Sequence, residues 1–329
     1  MGGRDLRIIA WPGMPDQAAV EIAAGRLGHK ANVEVVASNE RLLEAFSGGE
    51  PPDLIFPSDY LVQALVSSDQ LIALDQSRLP LERLTGWARE TPFDPDNRYS
   101  VPFAYGTTGY LCDERIPAGD SWQQLFAPPA GVRVGMLDEA REVVAAALLS
   151  AGWDANACSE EALAAASSVL EAQLQAVAKF DSDDFTGQVS SGELAAHHAW
   201  SGPGAHAVRA APGKLRYVVP SEGAVFWVTC GAVPAIARDP DLSHALLAEL
   251  MDPELAVLST AHAGLATPNV AARALLPAAL RDDTSLFPPE AVVERCTILH
   301  DIGAGQQRVE DAFAVIRNKI GTGTLIKRV

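Results

Sequence analysis

Residues 6–60 open with Leu6-Arg7-Ile8-Ile9-Ala10-Trp11 and close with Asp53-Leu54-Ile55-Phe56-Pro57-Ser58-Asp59-Tyr60. The first run is apolar and reads as a buried strand, and Pro12-Gly13 turns the chain after it. Residues 16–28 read as a helix and Val33-Glu34-Val35-Val36 as a second strand. Glu40 to Phe46 is helical, stopped by Gly48-Gly49, and Asp53 to Phe56 is a third short strand. Strand alternating with helix predicts a doubly wound α/β sheet. Ligands of such sheets bind beyond the carboxyl ends of the strands. Trp11 and the Ser58–Tyr60 turn stand at two of those ends.

Working outward, residues 99–112 (YSVPFAYGTTGYLC) are extended and rich in hydroxyl and aromatic groups. Val132 to Met136 is another strand. Asp138 is placed to cap the helix that follows, with Glu139 and Glu142 in its first turns. Their i, i+3 spacing predicts both carboxylates on one side of that helix. Residues 160–179 read as one Ala-rich helix. Strands follow at 195–200, 215–219 and 224–228, then helices at 241–251 and 253–262, and a last helix over 306–320.

The 329 residues suit two lobes better than one small core. Hydrophobic residues at 48% against 20% charged predict a packed globular chain. Forty-two acidic against 25 basic side chains leave a formal charge of −17, which argues against a nucleic-acid partner and suits a cationic ligand. Cys112, Cys158, Cys230 and Cys296 form no CxxC pair, so zinc and thioredoxin-like readings drop out. Idle thiols are expected, with long-range disulfides left open. No apolar stretch reaches the length of a membrane span. The residues from Met1 to Ala10 do not read as a secretory signal, because the apolar run is short and Asp5 interrupts it.

The informative side chains are aromatic and acidic. Trp11, Tyr60, Trp200 and Trp227 stand at expected strand ends, and Glu139 and Glu142 at a helix start. Indole and phenol rings pack methylenes and attract a cation, and carboxylates accept charged N–H bonds, so the set fits an aliphatic ammonium. The plainer alternative is core aromatics with acids that merely favour the helix dipole. His197-His198 is adjacent in a strand, so the two rings point to opposite faces and suit no metal. Gly106-Thr107-Thr108-Gly109 lacks the lysine of a phosphate loop, and Ser201 has no GxSxG context. Neither a cofactor nor a catalytic centre is expected.

Taken together these blocks resemble the polyamine-binding (spermidine and putrescine) proteins of bacterial ABC importers. The resemblance rests on residues 53–60, on Tyr99–Gly109, and on Leu137–Glu142. It continues in Trp200-Ser201-Gly202, in Pro220–Trp227 and in Ala266–Arg273. It implies a two-lobe class II periplasmic-binding-protein fold, α/β in both lobes, with a ligand cleft between discontinuous lobes. One lobe would be residues 1–108 plus 228–273 and the other 109–227 plus 274–329. It also implies a monomer in the periplasm, or otherwise outside the cytoplasm, that hands a small-molecule amine to the transmembrane subunits of an ABC permease and catalyses nothing. The ligand residues it implies are Trp11, Ser58, Tyr60, Glu139, Glu142, Trp200 and Trp227, with Thr229 at a further ligand position.

The departures from the family pattern carry information. Pro12-Gly13-Met14 stands where the family has a polar, acidic and aromatic run, and Thr229 where it has an amine-anchoring Asp. Leu265 replaces a Tyr, and Leu299 an amide near Asp301. The Glu139/Glu142 end keeps its acids while the other end loses its own. The expectation is therefore a polyamine or a related amine-bearing molecule, with a one-amine ligand such as an opine or amino acid derivative as the alternative. A cytosolic enzyme or sensor reusing the fold is the competing class, raised by the N-terminal residues.

Overall fold

The computed structural model describes residues 5–36 and 38–321. Met1–Arg4, which share in the reading of the N-terminus, lie outside the described residues. The chain forms two compact units, one of Met1–Tyr105 with Trp227–Asp283 and one of Gly106–Phe226 with Thr284–Val329. It thus passes between units after Tyr105, Phe226 and Asp283, where the sequence reading placed passages after 108, 227 and 273.

In chain order, unit 1 begins with β1 (Asp5–Ala10), α1 (Gln17–Arg26), β2 (Lys30–Val35), α2 (Asn39–Ser47), β3 (Leu54–Ile55) and α3 (Asp59–Ser67). Strand β4 (Ser100–Asp113) starts in unit 1 and runs on into unit 2. There follow α4 (Gln123–Phe126), β5 (Val134–Met136), α5 (Ala140–Ser150), α6 (Glu160–Gln173), β6 (Val177–Phe180) and α7 (Phe185–Ser190). Next come β7 (Ala196–Trp200), α8 (Ser201–Ala210) and β8 (Leu215–Val218). Strand β9 (Val225–Ala232) returns the chain to unit 1, which ends with α9 (Pro240–Leu250), α10 (Pro253–Ala263), α11 (Val270–Leu275) and α12 (Ala278–Arg281). Unit 2 closes with α13 (Glu290–Val293) and α14 (Gly305–Gly321).

Unit 1 is built on parallel strands. β1 pairs with β2 from Asp5↔Lys30 to Ala10↔Val35, and with β3 at Ile8↔Leu54 and Ile9↔Ile55. β9 joins antiparallel at Ile55↔Ala232. A strand covered on both faces needs a near-continuous apolar run, and Ile8, Ile9 and Ala10 are fully buried. Asp16 caps α1, accepting from the amides of Ala18 (2.9 Å) and Ala19 (3.3 Å). The helix then lays Ala19, Val20, Ala23 and Ala24 on a core with Leu6, Leu54 and Phe56. Each larger side chain buried in this way, such as Leu6, Val20 or Leu54, stabilises the unit by about 1.5–3 kcal/mol, and each alanine methyl by less. Arg7 fastens the strand ends from outside, bonding Glu34 at 2.6 Å and the Ala45 carbonyl at 2.9 Å.

In unit 2, β4 pairs antiparallel with β7 (Thr108↔Trp200 to Cys112↔Ala196) and with β8 (Tyr110↔Val218 to Asp113↔Leu215). β5 lies parallel between β7 and β6. Leu111, Leu137, Phe185, Leu194 and Ala199 share its core.

Two local expectations are corrected. Residues 160–179 are not one helix: α6 stops at Gln173, and Val177–Phe180 form β6 on the edge of β5. Gln173 is buried and spends its amide on the Leu125 carbonyl (2.9 Å), and β-branched Val177 gains ladder bonds that a longer helix would not supply. Asp138 does not cap α5. Its carboxylate pairs with Arg317, and Glu139 is the N-cap, with no side-chain capping bond. Glu139 therefore sits outside the helix (φ −130°, ψ 108°), so the i, i+3 helical spacing to Glu142 does not apply.

Candidate ligand-binding site

Five of the eight expected ligand residues belong to unit 1. Trp11 follows the carboxyl end of β1 and packs its ring on the unit 1 core. Ser58 is the N-cap of α3 and Tyr60 lies in its first turn, directly beyond β3. Thr229 bridges antiparallel to Ser58, and the Cys230 amide donates to the Pro57 carbonyl at 2.9 Å. Strand period puts Trp227 and Thr229 on one face of β9. Asp59, between the two ligand candidates, is buried and structural: its oxygens accept from the Tyr60 amide (2.8 Å) and the Val228 amide (3.0 Å).

Asn39 was missed by the sequence reading. It is the first residue of α2, beyond the carboxyl end of β2, and it is buried. Its amide nitrogen donates to the Ser58 hydroxyl (2.7 Å) and the Tyr60 hydroxyl (2.6 Å). Its side-chain oxygen has no partner among the described residues. The available signal was its place at a third strand end, level with Trp11 and Ser58. The indole nitrogens of Trp11 and Trp227 are likewise buried without an acceptor among the described residues.

Unit 2 holds the other three. Trp200 ends β7, caps α8 and meets Phe185 edge-on, with centroids 5.6 Å apart. Its indole N–H reaches Glu142 Oε1 at 3.4 Å, a long bond. Glu142 Oε2 is buried with no partner among the described residues. Burial pushes this carboxyl up to about 7, although the Thr108 hydroxyl, the Trp200 indole and the Arg141 guanidinium pull the other way. Such a group is poised between acid and carboxylate near neutral pH.

The strand under this acid is held tightly. Tyr217 accepts from the Gly109 amide (2.8 Å) and donates to the Thr107 carbonyl (2.8 Å), and the Thr107 amide donates to Ser201 Oγ (3.1 Å). Gly109 is needed there because a β-carbon would lie 2.0 Å from the Val218 carbonyl oxygen. Ser201 thus serves the strand. His197 and His198 are both fully buried, one ring against Phe185 and the other against Trp122. All four cysteines are free thiols.

Two departures have physical causes. Gly13 has φ +70°, and a β-carbon there would come within 2.7 Å of Ala263 Cβ, so the turn after Trp11 excludes an acid at that place. Leu265 packs on the unit 1 core, where it contributes no polar group.

A family model described as bacterial extracellular solute-binding protein matches residues 23–288. Among curated proteins, the spermidine/putrescine-binding periplasmic protein of Salmonella typhimurium is 30% identical over 313 residues, covering 93% of this chain and 88% of that one. The putrescine/cadaverine-binding protein of Pseudomonas aeruginosa is 28% identical, covering 82% of this chain and 81% of its own length. Among solved structures, the spermidine/putrescine ABC transporter substrate-binding protein PotD of Streptococcus pneumoniae superposes with a TM-score of 0.84 at 24% identity, covering 96% and 99% of the two chains.

Proposed function

This chain belongs to the bacterial extracellular solute-binding proteins, and we propose that its solute is a polyamine or a related amine-bearing small molecule whose primary ammonium is taken by Glu142. The observation that carries this reading is the half-satisfied Glu142 carboxyl, buried beside the Trp200 indole with Oε2 bare. A buried carboxylate with an empty acceptor is costly, and an ammonium supplies the missing donors and the opposite charge together. Glu139 adds a second acid at the start of the same helix. On this reading Trp200 packs the ligand's methylenes beside Glu142, and Trp11, Ser58, Tyr60, Trp227 and Thr229 are the ligand residues proposed for unit 1.

The relatives named for binding spermidine/putrescine and putrescine/cadaverine support the ligand class, and the periplasmic name of the first supports a location outside the cytoplasm. Delivery to an ABC permease is supported by the likeness, at 27% identity, to a structure titled a putative spermidine/putrescine ABC transporter of Listeria monocytogenes. The role is binding without catalysis, by a monomer. The reading is tested by thermal shift on protein refolded to strip bound ligand. Putrescine, cadaverine, spermidine, N-acetylputrescine and 4-aminobutyrate are compared with amine-free 1,4-butanediol and butyrate. A ligand at about a thousand times its Kd adds roughly 4 kcal/mol of stability, a shift of degrees. Shifts confined to amines, and lost in Glu142→Gln, are expected. A shift from an amine-free compound, or silence from every amine, contradicts the reading.

A further inference from the structure

We propose that the group received by unit 1 is a hydrogen-bond acceptor, a carboxylate or an amide carbonyl, rather than a second ammonium. The inference rests on the reading of this chain as a binding protein for an amine-bearing solute, with Glu142 as its ammonium site, and concerns the chemistry of the unit 1 residues.

The ligand residues proposed for unit 1, Trp11, Ser58, Tyr60, Trp227 and Thr229, supply donors and include no acid. The Trp11 and Trp227 indole nitrogens are buried donors with no acceptor among the described residues. An ammonium carries only N–H groups and leaves both of them unsatisfied, whereas a carbonyl or carboxylate oxygen takes them up. The acid nearest Ser58 and Tyr60 is Asp59, and its oxygens are committed to the backbone amides of Tyr60 and Val228. Position 13 cannot be refilled by an acid, because its φ of +70° and the approach to Ala263 keep it glycine. Thr229, bridged to Ser58, is uncharged.

A second observation fits the amide form of the ligand. Asn39 donates to both the Ser58 and Tyr60 hydroxyls, which leaves its own oxygen as a buried neutral acceptor without a partner among the described residues. A secondary amide offers one N–H for that oxygen and one carbonyl for the indoles. A carboxylate uses the indoles alone. Against this stands the attraction of an indole face for a cation, which favours a diamine. Edge donors and ring faces therefore make opposite demands, and the edge atoms are the ones left unsatisfied.

Isothermal titration decides between them with putrescine, N-acetylputrescine and 4-aminobutyrate, which share a four-carbon amine and differ at the far end. N-acetylputrescine or 4-aminobutyrate should bind at least about tenfold tighter than putrescine, and which of the two leads separates amide from carboxylate. Trp227→Phe keeps a ring and removes the N–H. It should weaken the preferred ligand about tenfold more than it weakens putrescine. Putrescine binding as tightly as both others, or an equal loss for all three in Trp227→Phe, overturns the inference and leaves the Glu142 reading standing. Silence from all three, with spermidine and cadaverine also inert, removes both.

Discussion

Burial favours the acid form of Glu142, and on the proposed reading a ligand ammonium favours the carboxylate, so proton and ligand would compete for it. With its folded value near 7 against an ordinary 4.5, amine affinity should fall as pH drops below 7, by up to tenfold per unit. The ligand-free protein should respond in the opposite sense. A carboxyl whose folded value is raised contributes stability below its unfolded value, and that contribution is lost as pH rises through about 7. Glu142→Gln should therefore be more stable than wild type at pH 8, by up to about 3 kcal/mol, as read by denaturant unfolding without ligand. Gly13→Asp is the complementary residue test. It sets a side chain against Ala263 at a left-handed backbone position, and it should lower stability rather than add an amine anchor. A Gly13→Asp protein of normal stability with tighter diamine binding would contradict that account. Of the proposed site residues, the aromatics and acids stood out in the sequence because their chemistry is distinctive. Asn39 was not, because an asparagine at a helix start reads first as a cap.

At the scale of elements, the start of the unit 2 part of β4, before its ladders with β7 and β8 are complete, is held by the Tyr217 phenol. Tyr217→Phe removes two 2.8 Å bonds to Thr107 and Gly109 and leaves a buried carbonyl and amide to find other partners. A loss of about 1–3 kcal/mol is expected, visible in the denaturant midpoint. Gly109→Ala should be far worse, since its methyl meets the Val218 carbonyl within the β4–β8 ladder. Strand and helix order in residues 6–60 was readable from apolar runs separated by turn residues. β6 was not, because Val177-Ala178-Lys179-Phe180 continues an Ala-rich pattern without a glycine or proline to mark the break. Only the unsatisfied edge of β5 calls for a strand there. The Asp138 cap failed for a similar reason: Arg317, which claims its carboxylate, lies far along the chain.

For the whole molecule, acid sensitivity draws on buried histidines as well as on Glu142. Burial holds His197 down to about 4 and His198 to about 3, below the ordinary 6.5. A histidine depressed on folding contributes stability above its unfolded value and loses it as pH falls through the window down to the folded value. The ligand-free chain should thus lose stability from about pH 6.5 towards 4, partly masked by the gain from Glu142 over the same range. In Glu142→Gln the mask is removed, so its melting temperature should fall more steeply between pH 7 and 5. An identical slope in the two proteins would assign the acid sensitivity elsewhere. The net charge of −17 belongs to this scale too, since an acidic surface repels anions and attracts cations over long range.

The most direct test is the affinity of wild type and Glu142→Gln for the tightest-binding amine of the panel, titrated at pH 6 and pH 8 in matched salt. The account predicts about tenfold weaker binding at pH 6 in wild type. It predicts weak, pH-independent binding in the variant, because the amine itself stays charged across that range. Equal affinities at the two pH values in wild type, or a variant that binds as tightly as wild type at pH 8, would contradict the placement of the ammonium on Glu142.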